Sequence, residues 1–208
     1  MNTPKLRILL ADDHSLVRIG IRTLLEYQPD MTVVGEATNG ELAVEAARQL
    51  KPDVIIMDLM MPKANGAEAT KRILAERPET RIIILTSYTT SADLARALAN
   101  GACGAQMKEA PTDDLLKAIR AVAEGKRAVA SEIAKFLKSE PPPPELTERQ
   151  TEILRSVVRG LSNKDIALQF GISPVSAKKH LSVIFAKLGA ATRAEAVAIA
   201  LRKQLLKI

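Results

Sequence analysis

The chain has 208 residues, with 30 Lys plus Arg against 24 Asp plus Glu, a net charge of +6, and only 2 Tyr, 3 Phe and no Trp. With 47% hydrophobic residues, its core must be built from Ala, Leu, Ile and Val. A basic chain favours polyanionic partners, and the aromatic shortage argues against modules that stack bases on exposed rings. The single cysteine, Cys103, excludes an intramolecular disulfide and a multi-cysteine zinc site, and points to a reducing compartment. No apolar run approaches the ~18 residues of a membrane span. The expectation is a cytoplasmic, soluble protein with no membrane partner.

In chain order, Leu6–Ala11, Thr32–Glu36, Val54–Asp58, Ile82–Thr86 and Ala105–Met107 read as strands. The third and fourth are near-continuous Val/Ile/Leu runs, as buried parallel strands require. Helical periodicity falls between them at Leu16–Glu26, Glu41–Leu50, Ala67–Glu76, Ala92–Ala99 and Thr112–Glu124. Alternating strands and helices predict an α/β doubly wound sheet covered on both faces, with its ligand site at the carboxyl ends of the strands.

A boundary follows. Ser139 to Glu145 contains four consecutive prolines, Pro141 to Pro144, which lack backbone donors and favour an extended spacer. The predicted organisation is a first domain over 1–126, a connecting helix and Pro-rich linker over 127–145, and an all-α four-helix domain over 146–208. Charge divides unevenly between these parts. Residues 1–138 carry 19 basic and 18 acidic side chains, whereas 146–208 carry 11 basic and 4 acidic. In the last part Thr147 with Gln150 and Thr192 with Glu195 fit capping boxes, Ser162 can cap a helix, and Ser173-Pro174 offers an N-cap followed by proline at the first helical position.

The strand ends of the first domain carry polar residues. Strand one ends in Asp12 and Asp13, strand three in Asp58, strand four in Thr86, and strand five leads into Lys108. This topology brings three carboxylates, a hydroxyl and an ammonium to one rim, and close carboxylates repel unless a cation holds them. Few oxygen ligands with room for water suit Mg²⁺ awaiting phosphate oxygens. A metal beside an exposed carboxylate, with a hydroxyl and a lysine nearby, suits phosphoryl transfer onto Asp58. Thr86 and Lys108 would then meet the phosphoryl oxygens. The chain contains neither GxxxxGK[ST] nor GxGxxG, so the phosphoryl group must come from another molecule. One of Asp12, Asp13 or Ser15 could also cap a helix, Asp58 could serve a turn before Pro62, and Lys108 could simply be solvated.

Asp12-Asp13, Asp58-Leu59-Met60-Met61-Pro62 with Gly66 eight residues after Asp58, Thr86 and Lys108 closely resemble the receiver domain of two-component response regulators, a flavodoxin-like fold. The resemblance spans about residues 5–126. It implies that a sensor histidine kinase phosphorylates Asp58, that Asp12, Asp13, Asp58 and the backbone carbonyl of Met60 bind Mg²⁺, and that Thr86 and Lys108 sense the phosphate. Receivers usually carry Tyr or Phe three residues before the lysine, and this chain has Ala105 there. A ring flip cannot operate at that position; Tyr88 is a possible substitute, against an ordinary half-buried loop role.

In the basic part, Ser162 to Phe170, Gly171-Ile172-Ser173 and Pro174 to Leu188 read as helix, tight turn, helix. Ala177, Leu181, Ile184 and Leu188 form the inward stripe of the second helix, leaving Lys178, Lys179 and Ser182 off it, near the end that meets base edges. His180 could contact DNA or could pack or cap. The segments Leu146-Thr147-Glu148-Arg149-Gln150, Gly160 to Ala167, Lys178-Lys179-His180 and Lys187-Leu188-Gly189 resemble the LuxR-type helix-turn-helix, and the whole chain resembles the NarL/FixJ class of response regulators. That resemblance implies that Lys178, Lys179 and Ser182 face the major groove, that Ser162, Asn163 and Lys187 approach phosphates, and that a last helix over roughly Arg193 to Leu206 joins DNA-binding domains. The reading is a non-enzymatic transcription regulator whose phosphorylation by a histidine kinase favours a homodimer on double-stranded DNA. Two rivals stay open: a phosphate-independent dimerisation scaffold that still binds DNA, and a phosphate sink whose helical domain binds protein.

Overall fold

In a computed structural model of the chain, which describes residues 4–87, 91–139, 146–202 and 205–206, the apolar runs become the centre of a parallel sheet. The chain divides into two units, Met1–Pro141 and Pro142–Ile208, taken here one at a time. The first contains strands β1 (Leu6–Ala11), β2 (Met31–Ala37), β3 (Val54–Asp58), β4 (Arg81–Thr86), β5 (Gly104–Met107) and β6 (Ala128–Val129). They pair in the order β2-β1-β3-β4-β5-β6, every pair parallel. The helices of this unit are α1 (Ser15–Glu26), α2 (Gly40–Leu50), α3 (Gly66–Glu76), α4 (Ser91–Ala99), α5 (Thr112–Ala123) and α6 (Ser131–Ser139).

Strand side chains alternate between two faces, so consecutive apolar residues feed two cores. Leu9, Ala11, Ile55, Met57, Ile82 and Ile84 pack with Val44 of α2, Ile73 of α3 and Leu94 of α4. Ile8, Leu10, Val54, Ile56, Ile83 and Leu85 pack with Leu25 of α1 and with Leu116, Ile119 and Val122 of α5. Each fully buried isoleucine contributes about 1.5–3 kcal/mol by leaving water, and truncating Ile55, which is fully buried, to alanine costs about 2–5 kcal/mol. That double burial fixes the strand register, and with it the position of every strand-end side chain.

Within 127–145, expected as a connecting helix and Pro-rich linker, the described residues form a short strand and the helix α6, both packed on this unit. β6 extends the sheet by pairing Gly104 with Ala128 and Ala105 with Val129. On α6, Ile133 is buried, and Phe136 and Leu137 pack on the same core face as Ala105. The side chain at 105 is therefore a fully buried methyl group. Tyr88 and most of the Pro-rich linker lie outside the described residues.

The second unit consists of α7 (Glu148–Val158), α8 (Asn163–Gln169), α9 (Pro174–Leu188) and α10 (Arg193–Arg202). Thr147 and Gln150 form a reciprocal capping box, as do Ser162 and Asp165. Ser173 caps α9 through the backbone NH of Ser176, with Pro174 at the first turn. Gly171 has φ +63°, a left-handed conformation that costs glycine nothing and lets α9 turn away from α8. Ile153, Leu154, Ile166, Ala177, Leu181, Ile184 and Ala196 form the core. Arg193 Nη2 donates to the carbonyls of Val157 (3.1 Å), in the last turn of α7, and Leu161 (2.6 Å), just beyond it. The last helix was expected to run to roughly Leu206; its described part is Arg193–Arg202, and Leu205 and Leu206 are not helical, Leu205 N donating to the Ala200 carbonyl at 3.0 Å. Among the described residues no helix is long and apolar enough to cross a membrane.

Candidate functional site

The strand ends of the first unit assemble the expected residues. Asp12 follows β1, Asp58 ends β3, Thr86 ends β4, and all three are buried. Lys108 lies just beyond β5, and its backbone NH donates to the Thr86 carbonyl at 2.8 Å. Its Nζ lies 2.7 Å from Asp12 Oδ2 and 2.9 Å from Asp58 Oδ2. Asp58 was expected to be exposed, but its side chain is only 4% accessible, because β3 is covered on both faces up to its last residue. Asp13 is the outer carboxylate, its side chain 34% accessible.

The loop after β3 closes over Asp58. Met60 N donates to Asp58 Oδ1 at 3.3 Å, and Gly66 N donates to the Leu59 carbonyl at 2.9 Å. A Cβ at Gly66 would lie 2.3 Å from the Asp58 carbonyl oxygen, so a side chain there would push the loop off the site. Asn65 caps α3 through the backbone NH of Glu68. On the other side Arg18 donates to the Asp12 carbonyl (2.7 Å) and to Glu36 of β2 (3.0 Å), bracing the end of β1.

His14 completes the cluster and was not singled out from the sequence. Its Nδ1 lies 2.9 Å from Asp13 Oδ1 and 3.1 Å from Asp12 Oδ1, and its backbone NH donates to Asp12 Oδ1 at 2.8 Å. It occupies the N-cap position of α1 with no side-chain cap bond; neither aspartate nor Ser15 takes that position. The Asp-Asp-His run was the available signal, but a single histidine has no periodicity to mark it.

Burial pushes the Asp58 carboxyl above the usual aspartate range. The charge of Asp12 pushes the same way, and Lys108 and the Met60 NH offset only part of the rise. For Lys108 burial is the largest influence and opposes the charge, but the two carboxylates outweigh it and hold the ammonium above the ordinary lysine value. One lysine thus faces several acidic groups. Although Lys108 is in ion-pair range, Asp12 Oδ2 and Asp58 Oδ2 are buried without an aligned hydrogen-bond donor. Candidate ligand atoms of Asp12, Asp13, His14 and Asp58 all lie within 4.8 Å of one another. Hard oxygen donors with unspent lone pairs fit a divalent cation such as Mg²⁺.

On α9 of the second unit, Ala177, Leu181, Ile184 and Leu188 are buried, and the opposite face presents Val175, Lys178, Lys179 and Ser182 to solvent. His180 is exposed but falls outside that row, at helical spacing from Ser176. Ser182 Oγ donates to the Lys178 carbonyl at 3.1 Å. Lys187 is half-buried and its Nζ donates to Gln150 Oε1 at 3.0 Å. The Ser162 hydroxyl donates to Asp165 Oδ2 at 2.7 Å, so it is engaged within its own helix start, while Asn163 is exposed beside it.

A doubly wound parallel sheet with an acidic, lysine-bearing pocket at its strand ends, followed in the same chain by a capped helix-turn-helix, defines a receiver joined to a DNA-binding output domain. Residues 8–120 match the response regulator receiver domain, and residues 144–200 match the luxR family of bacterial regulatory proteins. The chain belongs to the two-component response regulators with a LuxR-type output domain. It is 37% identical to the transcriptional regulatory protein YdfI of Bacillus subtilis, the match covering 97% of this chain and 98% of that protein. The solved structure of ChrA, a response regulator of a heme-sensing two-component system, aligns over 98% of this chain and 100% of its own with TM-score 0.59 and 35% identity. The response regulator RcsB has been solved in complex with DNA, and as two dimers bound to two parallel DNAs. Both align with TM-score 0.66 and 26% identity over 95% of this chain and 98% of theirs.

Proposed function

We propose that Asp58 accepts a phosphoryl group from a sensor histidine kinase and that the modification controls dimerisation and sequence-specific binding to double-stranded DNA, acting in the cytoplasm. The observation that carries this reading is the buried Asp58 carboxylate, placed 2.9 Å from the Lys108 ammonium among further acidic groups. An Asp58 carboxylate oxygen forms the bond to phosphorus as the donor's phosphorus–nitrogen bond breaks. The imidazole nitrogen leaves with the electron pair and takes up a proton. Lys108 then neutralises charge on the phosphoryl oxygens, and Thr86, at the neighbouring strand end, donates its hydroxyl to one of them. Asp12, Asp13, Asp58 and the Met60 carbonyl would hold Mg²⁺, which when bound supplies positive charge against the transferring group. The chemistry is confined to the protein's own phosphorylation and dephosphorylation, so the chain is a regulator and not an enzyme acting on a separate substrate.

Lys178, Lys179 and Ser182 on the outward face of α9 enter the major groove. Asn163 and Lys187 approach phosphates, with Ser162 and His180 at the margin of that surface. The surplus of basic over acidic residues from 146 onward supports this, since neutralising phosphates releases counterions, as do the DNA complex and the dimers described for RcsB. The test is phosphoryl incorporation from a small-molecule phosphodonor in Mg²⁺. Wild type should label and Asp58→Asn should not, and labelled protein should dimerise and bind DNA more tightly. Undiminished labelling of Asp58→Asn would show that the acceptor is misassigned. The buried methyl of Ala105, where receivers usually hold a ring, favours a second reading in which the receiver is a phosphate-independent dimerisation scaffold. Identical DNA affinity of wild type and Asp58→Asn in phosphodonor would select it.

A further inference from the structure

α9 carries one feature that phosphate attraction does not use. Val175, in its first turn, is 79% exposed. A single exposed apolar residue is ordinary on a protein surface, but this one has a definite place. Residues 175, 178, 179 and 182 are spaced as one helical row, and all four are exposed, opposite the buried stripe of Ala177, Leu181 and Ile184. The row thus has an isopropyl group at its N-terminal end, two ammonium groups next, and then a hydroxyl. The Ser182 hydroxyl proton is already given to the Lys178 carbonyl, so within this row lysine supplies the free donors and Val175 the apolar surface.

Only one feature of the major groove offers an apolar partner, the C5-methyl of thymine, and guanine offers two acceptors to a cation. We infer that Val175 is a specificity-determining residue that packs on a thymine methyl, with Lys178 or Lys179 on a guanine close by. The inference rests on α9 being the helix that enters the groove. Rise along a helix is about 1.5 Å per residue, which places Val175 about 4.5–6 Å from the lysines along the axis. Base pairs stack about 3.4 Å apart, so the preferred half-site has thymine one or two steps from guanine. In the free protein the isopropyl group keeps its apolar surface in water, and it gains where a methyl group covers it.

The experiment uses the full-length chain and a duplex recovered with it from a randomised library. Each thymine of that duplex is replaced in turn by uracil, which removes the C5-methyl alone. Wild type should lose about three- to fivefold in affinity at one thymine per half-site, the effect of burying one methyl group. Val175→Ala should bind the parent duplex about as weakly as wild type binds a duplex carrying uracil at that thymine in both half-sites, and should no longer distinguish thymine from uracil there. Lys178→Ala should weaken both duplexes and keep their ratio. Equal thymine-to-uracil discrimination by wild type and Val175→Ala, or no uracil-sensitive thymine, overturns the role of Val175 while leaving α9 as the groove helix. Failure of the library to yield any duplex overturns the DNA reading itself, and this role with it.

Discussion

The acidic pocket, carboxylates around one lysine, and the basic outward face of α9 both concentrate charge, and they differ in how that charge meets water. In the pocket Asp12, Asp58 and Lys108 are almost fully withdrawn from solvent. Desolvation there is costly and each charge depends on its neighbours. On α9 the lysines at 178 and 179 are exposed; their charge costs little to hold and acts at a distance that salt can screen. Burial makes charge suitable for bond-making chemistry at one atom, and exposure makes it suitable for recruiting a long polyanion.

Removal of a charge should therefore have opposite consequences in the two places. The largest effect on stability belongs to Lys108→Ala. It leaves buried carboxylates without their cation and should cost the first unit about 3 kcal/mol in the absence of divalent ions, read from urea unfolding. Added Mg²⁺ should recover part of the loss. Unchanged unfolding without cation would break the comparison, since the pocket would then be solvated. The paired change Lys178→Ala and Lys179→Ala should leave unfolding unchanged but weaken duplex binding by about tenfold or more, and flatten the log–log salt slope by nearly 2 for each bound protomer. An unaltered slope would remove these lysines from the interface.

The smallest effect tests whether burial, and not the sign of the charge, makes the difference. Asp30 is acidic and in the same unit as the pocket, but it is exposed and accepts from Arg120 Nε at 2.8 Å and Nη2 at 3.0 Å. Hydrogen bonding to Arg120 holds its carboxyl below the ordinary value of 3.8. The pair's contribution is complete above that pH and is lost as pH falls through the folded value. Asp30→Asn should cost less than about 1 kcal/mol near neutral pH and nothing in strong acid, as followed by thermal unfolding across that range.

Legibility in the sequence follows the same divide. Runs such as Val54–Asp58 and Ile82–Thr86 announce strands because both sheet faces need apolar side chains. Ser162 and Ser173-Pro174 announce helix starts because free backbone donors need partners. From those strands the positions of Asp12, Asp58, Thr86 and Lys108 follow by topology alone. β6 escapes because two half-buried residues are too short for any periodicity. The burial of Asp58 escapes because a strand-end carboxylate reads as exposed until the loop through Gly66 is seen to close on it. His14 lies against two neighbouring aspartates, and the exposure of Val175 follows from the rotation of its helix, so each depends on geometry that residue type alone does not carry.

The capping box at the start of α8 has a consequence for discrimination among polyanions. A helix start attracts any nearby anion, and here Asp165 already fills that role, accepting from Ser162 N at 3.0 Å. A phosphate approaching Asn163 meets an internal competitor of its own charge. At the start of α8, therefore, a backbone donor that an external anion could use is already turned inward to the helix's own carboxylate.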